Sequence, residues 1–303
     1  MTIRFDDRVA IVTGAGAGLG RQHALLLASR GAKVVVNDPG GSVEGVGGAN
    51  AVADAVVAEI KAAGGQAIAS YASVADEKSA QSIVDTAVNA FGRLDILVAN
   101  AGVLRDKAFN NLSMEDFEFV MQVHLMGSVY CTKAAWPIMR AQKYGRIVVT
   151  TSGSGTVGNF GQSNYGAAKM ALNGFINVMR TEGAKYNIML NAISPSARTR
   201  MTETILPEWV LAFMRPELVS PAVAYMASEQ CTMSGEIISA TAGSFSRVKY
   251  IQSEGVQFDP DQPVTPEMFE ENFAKIMDIE TPQPHGMSLQ RLEARLRTMG
   301  KLK

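Results

Sequence analysis

Short apolar runs rich in β-branched residues alternate along this chain with longer segments of helical period. We expect strands at residues 9–13, 34–36, 67–70, 96–99, 146–151 and 189–193. Because the intervening segments are long enough for helices, the pattern predicts repeated βαβ units and a parallel sheet. The runs are nearly continuous in apolar residues, as in strands that helices cover on both faces. The predicted fold is therefore α/β, with a doubly wound parallel sheet of the Rossmann type and a helical C-terminal extension.

The C-terminal part of the chain differs from the rest in composition. The chain has 303 residues, enough for a full core, and five of its eleven prolines lie in the final stretch. Thr265 can cap a helix that has Pro266 at its first position, and a second short helix is expected after Ser288. We predict a Rossmann domain at residues 1–255 and a helical extension at residues 256–303. The extension is expected to pack on the main domain or on a partner subunit, because about 50 residues make a poor core alone.

Composition and charge exclude several classes of protein. Lys and Arg number 28 and Asp and Glu 29, so the formal net charge of −1 lacks the basic excess that binding to nucleic acid requires. The two cysteines and three histidines are scattered singly, which argues against a metal site and fits a reducing compartment. Residues 1–8 have no apolar signal-peptide core, and no apolar run approaches the ~18 residues of a membrane span. We expect a cytoplasmic protein that binds neither a metal nor nucleic acid.

A glycine-rich segment joins the first strand to a helical pattern that begins at Arg21. Glycine lets the backbone turn tightly and approach a phosphate, while the following helix offers free N–H groups and the positive end of its dipole. We expect the pyrophosphate of a dinucleotide to bind at Gly14, Ala17, Gly18, Leu19 and Gly20.

The residue that ends the second strand indicates which dinucleotide binds. Asp38 follows Gly14 at the distance where an acidic residue contacts the ribose hydroxyls of NAD. A carboxylate at this place repels the additional phosphate of NADP. The predicted cofactor is therefore NAD, and the alternative is a solvated aspartate at the end of a strand.

Three motifs in order resemble those of the short-chain dehydrogenase/reductase family. They are the glycine-rich segment, Asn100-Ala101-Gly102 after the fourth strand, and Tyr165 with Lys169, preceded by Ser152 at the interval that the family shows. The resemblance covers residues 5 to about 250 and implies an oxidoreductase that forms a homodimer or a homotetramer. It also implies cofactor contacts from Ser73, Val74, Asn100, Ala101, Gly102, Tyr165, Lys169 and Pro195.

The chemistry of the family can be checked against the residues themselves. Tyr165 and Lys169 are four residues apart and therefore lie on the same face of a helix. A free tyrosine has a pKa near ~10, and a neighbouring ammonium group favours its phenolate form. We expect Tyr165 to act as the acid/base, Lys169 to lower its pKa, and Ser152 to hydrogen-bond the reacting oxygen.

His124 lies where many members of the family have an asparagine whose backbone helps to hold a water molecule. Three roles remain open from the sequence. The backbone carbonyl of His124 can serve as the asparagine's does, the imidazole can shuttle protons, or the ring is buried and hydrogen-bonded without a catalytic role.

Within the family, the chain resembles the subgroup that forms the dehydrogenase unit of D-bifunctional proteins of fatty-acid β-oxidation. The resemblance depends on the glycine-rich insert after Asp38 and on residues 101–106, 123–125, 158–162 and 200–202. It implies oxidation of a (3R)-3-hydroxyacyl-CoA to the 3-ketoacyl-CoA. The chain departs from the pattern at Ala72, where an aspartate is usual near the adenine, and at Ser196, where a glycine is usual after Pro195.

The segment after the sixth predicted strand is almost entirely apolar, and the resemblance to the family implies that it covers the reacting carbon. The expected substrate contacts are Ser152, Phe160, Leu206, Trp209 and Phe213. An apolar cover suits an acyl chain or a steroid equally well, so a hydroxysteroid or another hydrophobic secondary alcohol is the alternative substrate. The segment can also be an ordinary core helix. A protein that senses NAD without turnover is a third reading, against which the intact Ser152, Tyr165 and Lys169 argue.

Overall fold

The structure of the chain, a computed structural model, describes residues 2–199, 203, 207–280, 283–284 and 288–302. The chain divides into two compact units, Met1–Val248 and Lys249–Lys303. The predicted domain boundary between residues 255 and 256 falls inside the second unit and stays a prediction.

The first unit is built on an eight-stranded sheet. Its strands are β1 (Val9–Thr13), β2 (Lys33–Asn37), β3 (Gln66–Ser70), β4 (Ile96–Ala99), β5 (Gly145–Thr150), β6 (Ile188–Ser196), β7 (Ile237–Thr241) and β8 (Ser244–Val248). They follow the order β3-β2-β1-β4-β5-β6-β7-β8. All neighbouring strands are parallel except β7 and β8, which are antiparallel. The predicted doubly wound parallel sheet is confirmed.

Helices connect the strands. In the first unit they are α1 (Gly18–Ser29), α2 (Ala51–Ala62), α3 (Glu77–Phe91), α4 (Met114–Met121), α5 (Gly127–Gln142), α6 (Gly153–Thr156), α7 (Ser163–Gly183), α8 (Glu208–Leu211) and α9 (Ser220–Ala227). Short 3₁₀ turns lie at Phe109–Asn111, Ala184–Tyr186 and Pro216–Leu218. A π-helical turn, Gln122–Met126, links α4 to α5. Such a turn is wider than an α-helical one and is frequent at functional sites.

The core lies along the middle of the sheet. Every residue of β1, β4 and β5 is buried, and burying one Val or Ile side chain contributes ~1.5–3 kcal/mol to folding. The strand order reverses between β1 and β4, since β2 follows on one side of β1 and β4 lies on the other. In an open α/β sheet the crevice outside the carboxyl ends of these two strands is where ligands bind.

Two strands of the sheet differ from the sequence-based expectation. β7 and β8 were not predicted. β7 is only partly buried, and β8 is an edge strand whose residues are mostly exposed and alternate serine with larger side chains. Both strands therefore lack the long apolar run by which the buried strands are recognised. β1 and β4 have the predicted bounds, whereas β5 begins and ends one residue before its predicted bounds.

The second unit contains two short strands and three helices. They are β9 (Ile251–Gln252), β10 (Gln283–Pro284), α10 (Pro266–Glu271), α11 (Phe273–Met277) and α12 (Ser288–Thr298). Thr265 caps α10 as predicted, because its hydroxyl accepts the N–H of Met268 at 3.3 Å. The predicted helix is interrupted at Asn272, whose φ and ψ of −101° and 5° separate α10 from α11.

Candidate active site

The glycine-rich segment turns directly into α1, which begins at Gly18 rather than at the predicted Arg21. Gly14 has a φ of +63°, in the left-handed region that favours glycine. A Cβ atom on Gly20 would lie 2.2 Å from the carbonyl oxygen of Gly14, so the loop and the helix can approach only where no side chain intervenes. Ala17 precedes α1 without any side-chain cap, and the first N–H groups of a helix have no acceptor within it. The early start places these N–H groups inside the predicted phosphate-binding segment.

The carboxylate of Asp38 lies beside the same loop. Its Oδ2 accepts the N–H of Gly16 at 2.9 Å, and its Oδ1 accepts the N–H of Gly40 at 2.7 Å. A Cβ atom on Gly16 would lie 2.9 Å from Asp38 Oδ2. The end of β2 therefore presents a fixed negative charge next to the glycine-rich segment.

Thr13, which the sequence analysis did not single out, joins the carboxyl ends of β1 and β4. Its hydroxyl oxygen accepts the N–H groups of Asn100 and Ala101, each at 3.1 Å. The side-chain nitrogen of Asn100 donates in turn to the carbonyl oxygens of Thr13 and Gly14, at 3.0 and 3.2 Å. The signal was a threonine that ends an otherwise apolar buried strand. Asn100 thus holds the glycine-rich segment in shape.

The other residues predicted to contact the cofactor lie at the ends of neighbouring strands. Ser73 and Val74 follow β3, and Pro195 lies within β6, paired with Ala240 of β7. The Ser73 hydroxyl accepts the N–H of Ala75 at 3.2 Å. Together with the left-handed glycines, the uncapped start of α1 and the carboxylate of Asp38, these positions fit a dinucleotide.

Ser152 is brought towards Tyr165 by the packing of α6 on α7. Ser152 is the N-cap of α6, and its Oγ accepts the N–H of Ser154 at 3.2 Å. A Cβ atom on Gly155 would lie 2.7 Å from the backbone nitrogen of Met170 in α7, so the glycine permits the close contact. The resulting hydrogen bond with Ser152 favours the phenolate and opposes the rise in the pKa of Tyr165.

The electrostatics of Tyr165 and Lys169 differ from the expectation. Lys169 is buried, its Nζ donates to the carbonyl oxygen of Thr150 at 2.5 Å and lies 5.4 Å from the centre of the Tyr165 ring. Burial lowers the pKa of Lys169 to about 7. Burial also raises the pKa of Tyr165, and the negative charge of Asp106 adds to that rise. Burial thus disfavours the charge on both groups in the protein alone, and the role of Lys169 in favouring the phenolate of Tyr165 stays a prediction for the complex with the dinucleotide.

His124 lies in the π-helical turn and is buried against Tyr165, with the two ring centres 5.0 Å apart in an edge-to-face arrangement. Its Nε2 is 2.7 Å from the carbonyl oxygen and 3.1 Å from the N–H of Val103. Burial holds the pKa of His124 well below 6.5, so the imidazole is neutral. The carbonyl oxygen of His124 accepts the hydroxyl of Ser128 at 2.8 Å. Of the three roles, this favours a buried, hydrogen-bonded ring over a proton shuttle.

The residues expected to contact substrate do not form one cluster in the described part of the chain. Phe160 is 89% exposed and lines a cavity of about 380 Å³ with Phe109 and the first turn of α7. Trp209 and Phe213 are also exposed, whereas Leu211 and Met214 beside them are buried. The segment is thus partly a core helix. Leu206 lies outside the described residues.

A polar group next to Ser152 was missed. Gln162 contacts Ser154 and Asn159, and its amide nitrogen donates to Asp106 at 2.6 Å. No signal in the sequence marked Gln162, because its burial in a loop rich in glycine is visible only in the structure.

Within the described part of the chain, no three His, Cys, Asp or Glu side chains are grouped as ligands for a metal ion. No helix among the same residues combines the length and the apolar character needed to cross a membrane. Cys131 and Cys231 are buried free thiols.

Comparison with known proteins places these features in a family. The family described as short chain dehydrogenase matches residues 8–208. The chain is 46% identical over 303 residues to peroxisomal multifunctional enzyme type 2 of Drosophila melanogaster, covering 99% of this chain and 50% of that one. It is 47% identical over 277 residues to the peroxisomal hydratase-dehydrogenase-epimerase of Saccharomyces cerevisiae, covering 91% of this chain and 31% of that one. The chain thus spans half the length of the fly enzyme and a third of the yeast one.

Solved structures agree with the sequence comparison. The full-length structure of the fly enzyme matches with a TM-score of 0.83 at 41% identity, covering 99% of this chain and 51% of that one. A 7α-hydroxysteroid dehydrogenase in complex with NADH and 7-oxoglycochenodeoxycholic acid matches with a TM-score of 0.72 at 29% identity, covering 79% of this chain and 95% of that one.

Proposed function

The chain belongs to the short-chain dehydrogenase/reductase family, and on that premise we propose that it oxidises a (3R)-3-hydroxyacyl-CoA to the 3-ketoacyl-CoA with NAD. The observation that carries the proposal is the meeting of Ser152, Tyr165 and Lys169 at the carboxyl edge of the sheet. The resemblance of the chain to the multifunctional fly enzyme over 99% of its length supports it.

The cofactor would be held by the glycine-rich segment, by Asp38 and by Asn100-Ala101-Gly102. When bound, NAD supplies the acceptor for the hydride that leaves the alcohol carbon. The carboxylate of Asp38, fixed by the N–H groups of Gly16 and Gly40, disfavours the extra phosphate of NADP at the same place. This charge supports NAD as the cofactor.

The chain's own residues supply the proton chemistry. Ser152 donates a hydrogen bond to the reacting oxygen and fixes its position, while Tyr165 takes the proton of the alcohol. Because burial disfavours both the phenolate of Tyr165 and the ammonium of Lys169, proton transfer to Tyr165 restores a neutral group to a buried place. Lys169 anchors the carbonyl end of β5 through Thr150 and would hold the ribose next to the nicotinamide.

A kinetic experiment tests the proposal. The purified full chain is assayed for NAD reduction with matched (3R)- and (3S)-hydroxyacyl-CoA thioesters of medium chain length, and with NADP in place of NAD. We expect turnover of the R isomer with NAD. Tyr165→Phe should lower turnover by at least ~10³-fold while NAD still binds, because the ring remains and only the proton acceptor is lost. Turnover of the S isomer alone, or wild-type rates in the Phe variant, would contradict the proposal.

A free hydroxysteroid is the second candidate substrate. Two observations favour it, namely the likeness to the 7α-hydroxysteroid dehydrogenase and the exposed apolar side chains of Phe160, Trp209 and Phe213. Absence of turnover with both thioesters, together with turnover of a hydroxysteroid, would select it. Tight binding of NAD without turnover of any alcohol would instead indicate a sensing protein.

The assembly and the compartment belong to the same proposal. A homodimer or homotetramer is expected from the family, and light scattering of the purified chain tests it. The cytoplasm was expected from the sequence, whereas the fly and yeast relatives are named as peroxisomal. Microscopy of the tagged chain in its own cells decides between these compartments.

A further inference from the structure

A chain of hydrogen bonds leads from Ser152 to the surface. The Oγ atoms of Ser152 and Ser154 are 3.4 Å apart, and Ser154 Oγ donates to Gln162 Oε1 at 2.7 Å. The amide nitrogen of Gln162 donates to Asp106 Oδ2 at 2.6 Å. Gln162 is buried, whereas Asp106 is an exposed residue in the loop after β4. This series of hydrogen bonds therefore ends on a carboxylate that can be replaced without opening the core.

The chemistry of these groups fixes the direction of every bond. An ionised carboxylate only accepts hydrogen bonds, so the amide nitrogen of Gln162 must face Asp106. Its oxygen then faces Ser154 and also accepts the amide nitrogen of Asn159 at 3.1 Å. An amide oxygen only accepts, so the single hydroxyl hydrogen of Ser154 is committed to Gln162. Ser154 consequently has no hydroxyl hydrogen to give to Ser152.

The bonding of Ser152 follows from this commitment. A serine hydroxyl has one hydrogen and two lone pairs. The N–H of Ser154 occupies one lone pair, and the contact between the Ser152 and Ser154 hydroxyl oxygens is long, at 3.4 Å. Because Ser154 leaves the second lone pair unoccupied, the Ser152 hydrogen can turn between Tyr165 and a reacting oxygen at little cost.

We propose that Asp106 and Gln162 are positioning residues that keep the Ser152 hydroxyl free to donate to the substrate oxygen. The inference rests on the proposed function, because it assigns to Ser152 the contact with that oxygen. Without Asp106, the amide of Gln162 can reverse, the hydroxyl of Ser154 loses its fixed acceptor, and it can turn to donate to Ser152. That bond would fill the second lone pair of Ser152, so that the direction of its hydrogen is fixed and the hydrogen can no longer turn to the substrate oxygen.

The loop that carries Asp106 is held independently of the carboxylate. The N–H of Lys107 donates to the carbonyl oxygen of Gly161 at 3.0 Å, and the amide nitrogen of Asn164 donates to the carbonyl oxygen of Arg105 at 3.1 Å. A substitution at Asp106 therefore removes the hydrogen bond and the charge but leaves these backbone contacts in place.

The test compares three single variants of the full chain. Asp106→Leu removes the acceptor, Asp106→Asn retains one oxygen that can accept from Gln162, and Asp85→Leu is the matched control. Asp85 is an exposed residue of α3 that accepts the amide nitrogen of Gln81 at 2.9 Å, away from Ser152. With the (3R)-thioester and NAD, we expect Asp106→Leu to lower kcat about five- to tenfold, the equivalent of one buried hydrogen bond, with the KM for NAD unchanged. Asp106→Asn should recover most of that loss, and Asp85→Leu should match the wild type.

Two further readouts separate positioning from a general structural role. Ser154→Ala breaks the same series of hydrogen bonds, so adding Asp106→Leu to it should cause no further loss of kcat.

The charged or titratable groups among the described residues that face Tyr165 are Lys169 from its own helix, His124 from the π-helical turn and Asp106 from the loop after β4. Because the charge of Asp106 raises the pKa of Tyr165, both Asp106 variants should move the acidic limb of the kcat profile to lower pH.

The outcomes are distinct. Wild-type kcat in Asp106→Leu, or a full additional loss on the Ser154→Ala background, would overturn the positioning role while leaving the proposed function intact. Absence of turnover in the wild type and in Asp85→Leu alike would overturn the proposed function, and the positioning role with it.

Discussion

The ammonium group of Lys169 lies where folding disfavours its charge. In the unfolded chain its pKa is near 10.5, and in the folded protein burial lowers the pKa to about 7. Between these two pH values the unfolded chain binds one more proton, so the stability of the fold rises with pH over this window. At pH 7 and below, the full cost of burying the charge is present. A side chain of the candidate active site thus weakens the fold that positions it.

We therefore predict that Lys169→Met stabilises the protein. The free energy of unfolding at pH 7 should rise by about 3 kcal/mol, and the gain should shrink as the pH approaches 10. Urea unfolding of the variant and the wild type at pH 7 and 9.5 measures both values, with exposed Lys61→Met as the control. Turnover should be lost. A variant less stable than the wild type at pH 7 would show that the hydrogen bond from Lys169 to Thr150 outweighs the cost of burial.

Under the proposed function, Asp38 sets the preference between the two dinucleotides. Its two oxygens are occupied by the N–H groups of Gly16 and Gly40, so its charge is fixed at the end of β2. We predict that Asp38→Asn, which removes the charge and keeps an acceptor for one of the two N–H groups, shifts the ratio of kcat/KM for NAD and NADP by roughly 10- to 100-fold towards NADP. Steady-state kinetics with both dinucleotides measures the ratio. An unchanged ratio would show that Asp38 only shapes the loop.

At the scale of elements, the contact between α6 and α7 sets the distance between Ser152 and Tyr165. A Cβ atom on Gly155 would lie 2.7 Å from the nitrogen of Met170, whereas nothing lies within 4 Å of a Cβ atom on Gly153 in the same turn. We predict that Gly155→Ala forces α6 away from α7, destabilises the fold by about 1–3 kcal/mol and lowers kcat more than tenfold. Gly153→Ala should leave kcat unchanged. The variant should be no less stable than the wild type, because alanine loses less conformational entropy than glycine when the helix forms. Urea unfolding and kinetics of both variants test this pair, and equal effects would contradict the argument.

Elements could be predicted from the sequence where one physical cause determined them. Strands inside the sheet, from β1 and β2 to β4, β5 and β6, are largely buried and need continuous apolar runs, and each was found at its place. The edge strand β3 was also found, although it is only partly buried. The edge strand β8 is exposed, so its sequence carries no such run. The start of α1 was placed three residues late because glycine is a poor helix former, although its free N–H groups are what the segment requires.

In the candidate site, too, some features could be predicted from the sequence and others could not. Tyr165 and Lys169 share a helix face at an interval that local geometry explains, whereas Ser152 was predicted from the resemblance to the family. The link from Ser152 through Gln162 to Asp106 joins residues 56 positions apart in its last step. The raised pKa of Tyr165 and the lowered pKa of Lys169 come from burial. Neither tertiary contacts nor burial depths can be read from a spacing.

At the scale of the whole molecule, two histidines couple folding to acid. His23 is buried in α1, where its Nδ1 is 2.8 Å from the hydroxyl of Ser220 in α9, and burial lowers its pKa to about 3. His124 is buried likewise, with a pKa well below 6.5. His23 is neutral in the folded protein at pH 5 and burial also disfavours protonation of His124, whereas in the unfolded chain both rings take up protons below pH 6.5. The unfolded state thus binds the additional protons, and the stability must fall as the pH falls.

We predict that the free energy of unfolding decreases between pH 6.5 and pH 5 with a slope that approaches about 1.4 kcal/mol per pH unit for each of these histidines. The aspartates with lowered pKa values, such as Asp76 and Asp116, add to this slope only nearer their ordinary pKa of 3.8, below the chosen window. Urea unfolding at pH steps of half a unit measures the slope in the wild type, in His23→Gln, in His124→Asn and in the double variant. Each single variant should lose about half of the slope and the double variant most of it, whatever the substitutions do to the absolute stability. A slope that survives in the double variant would place the acid sensitivity in other groups.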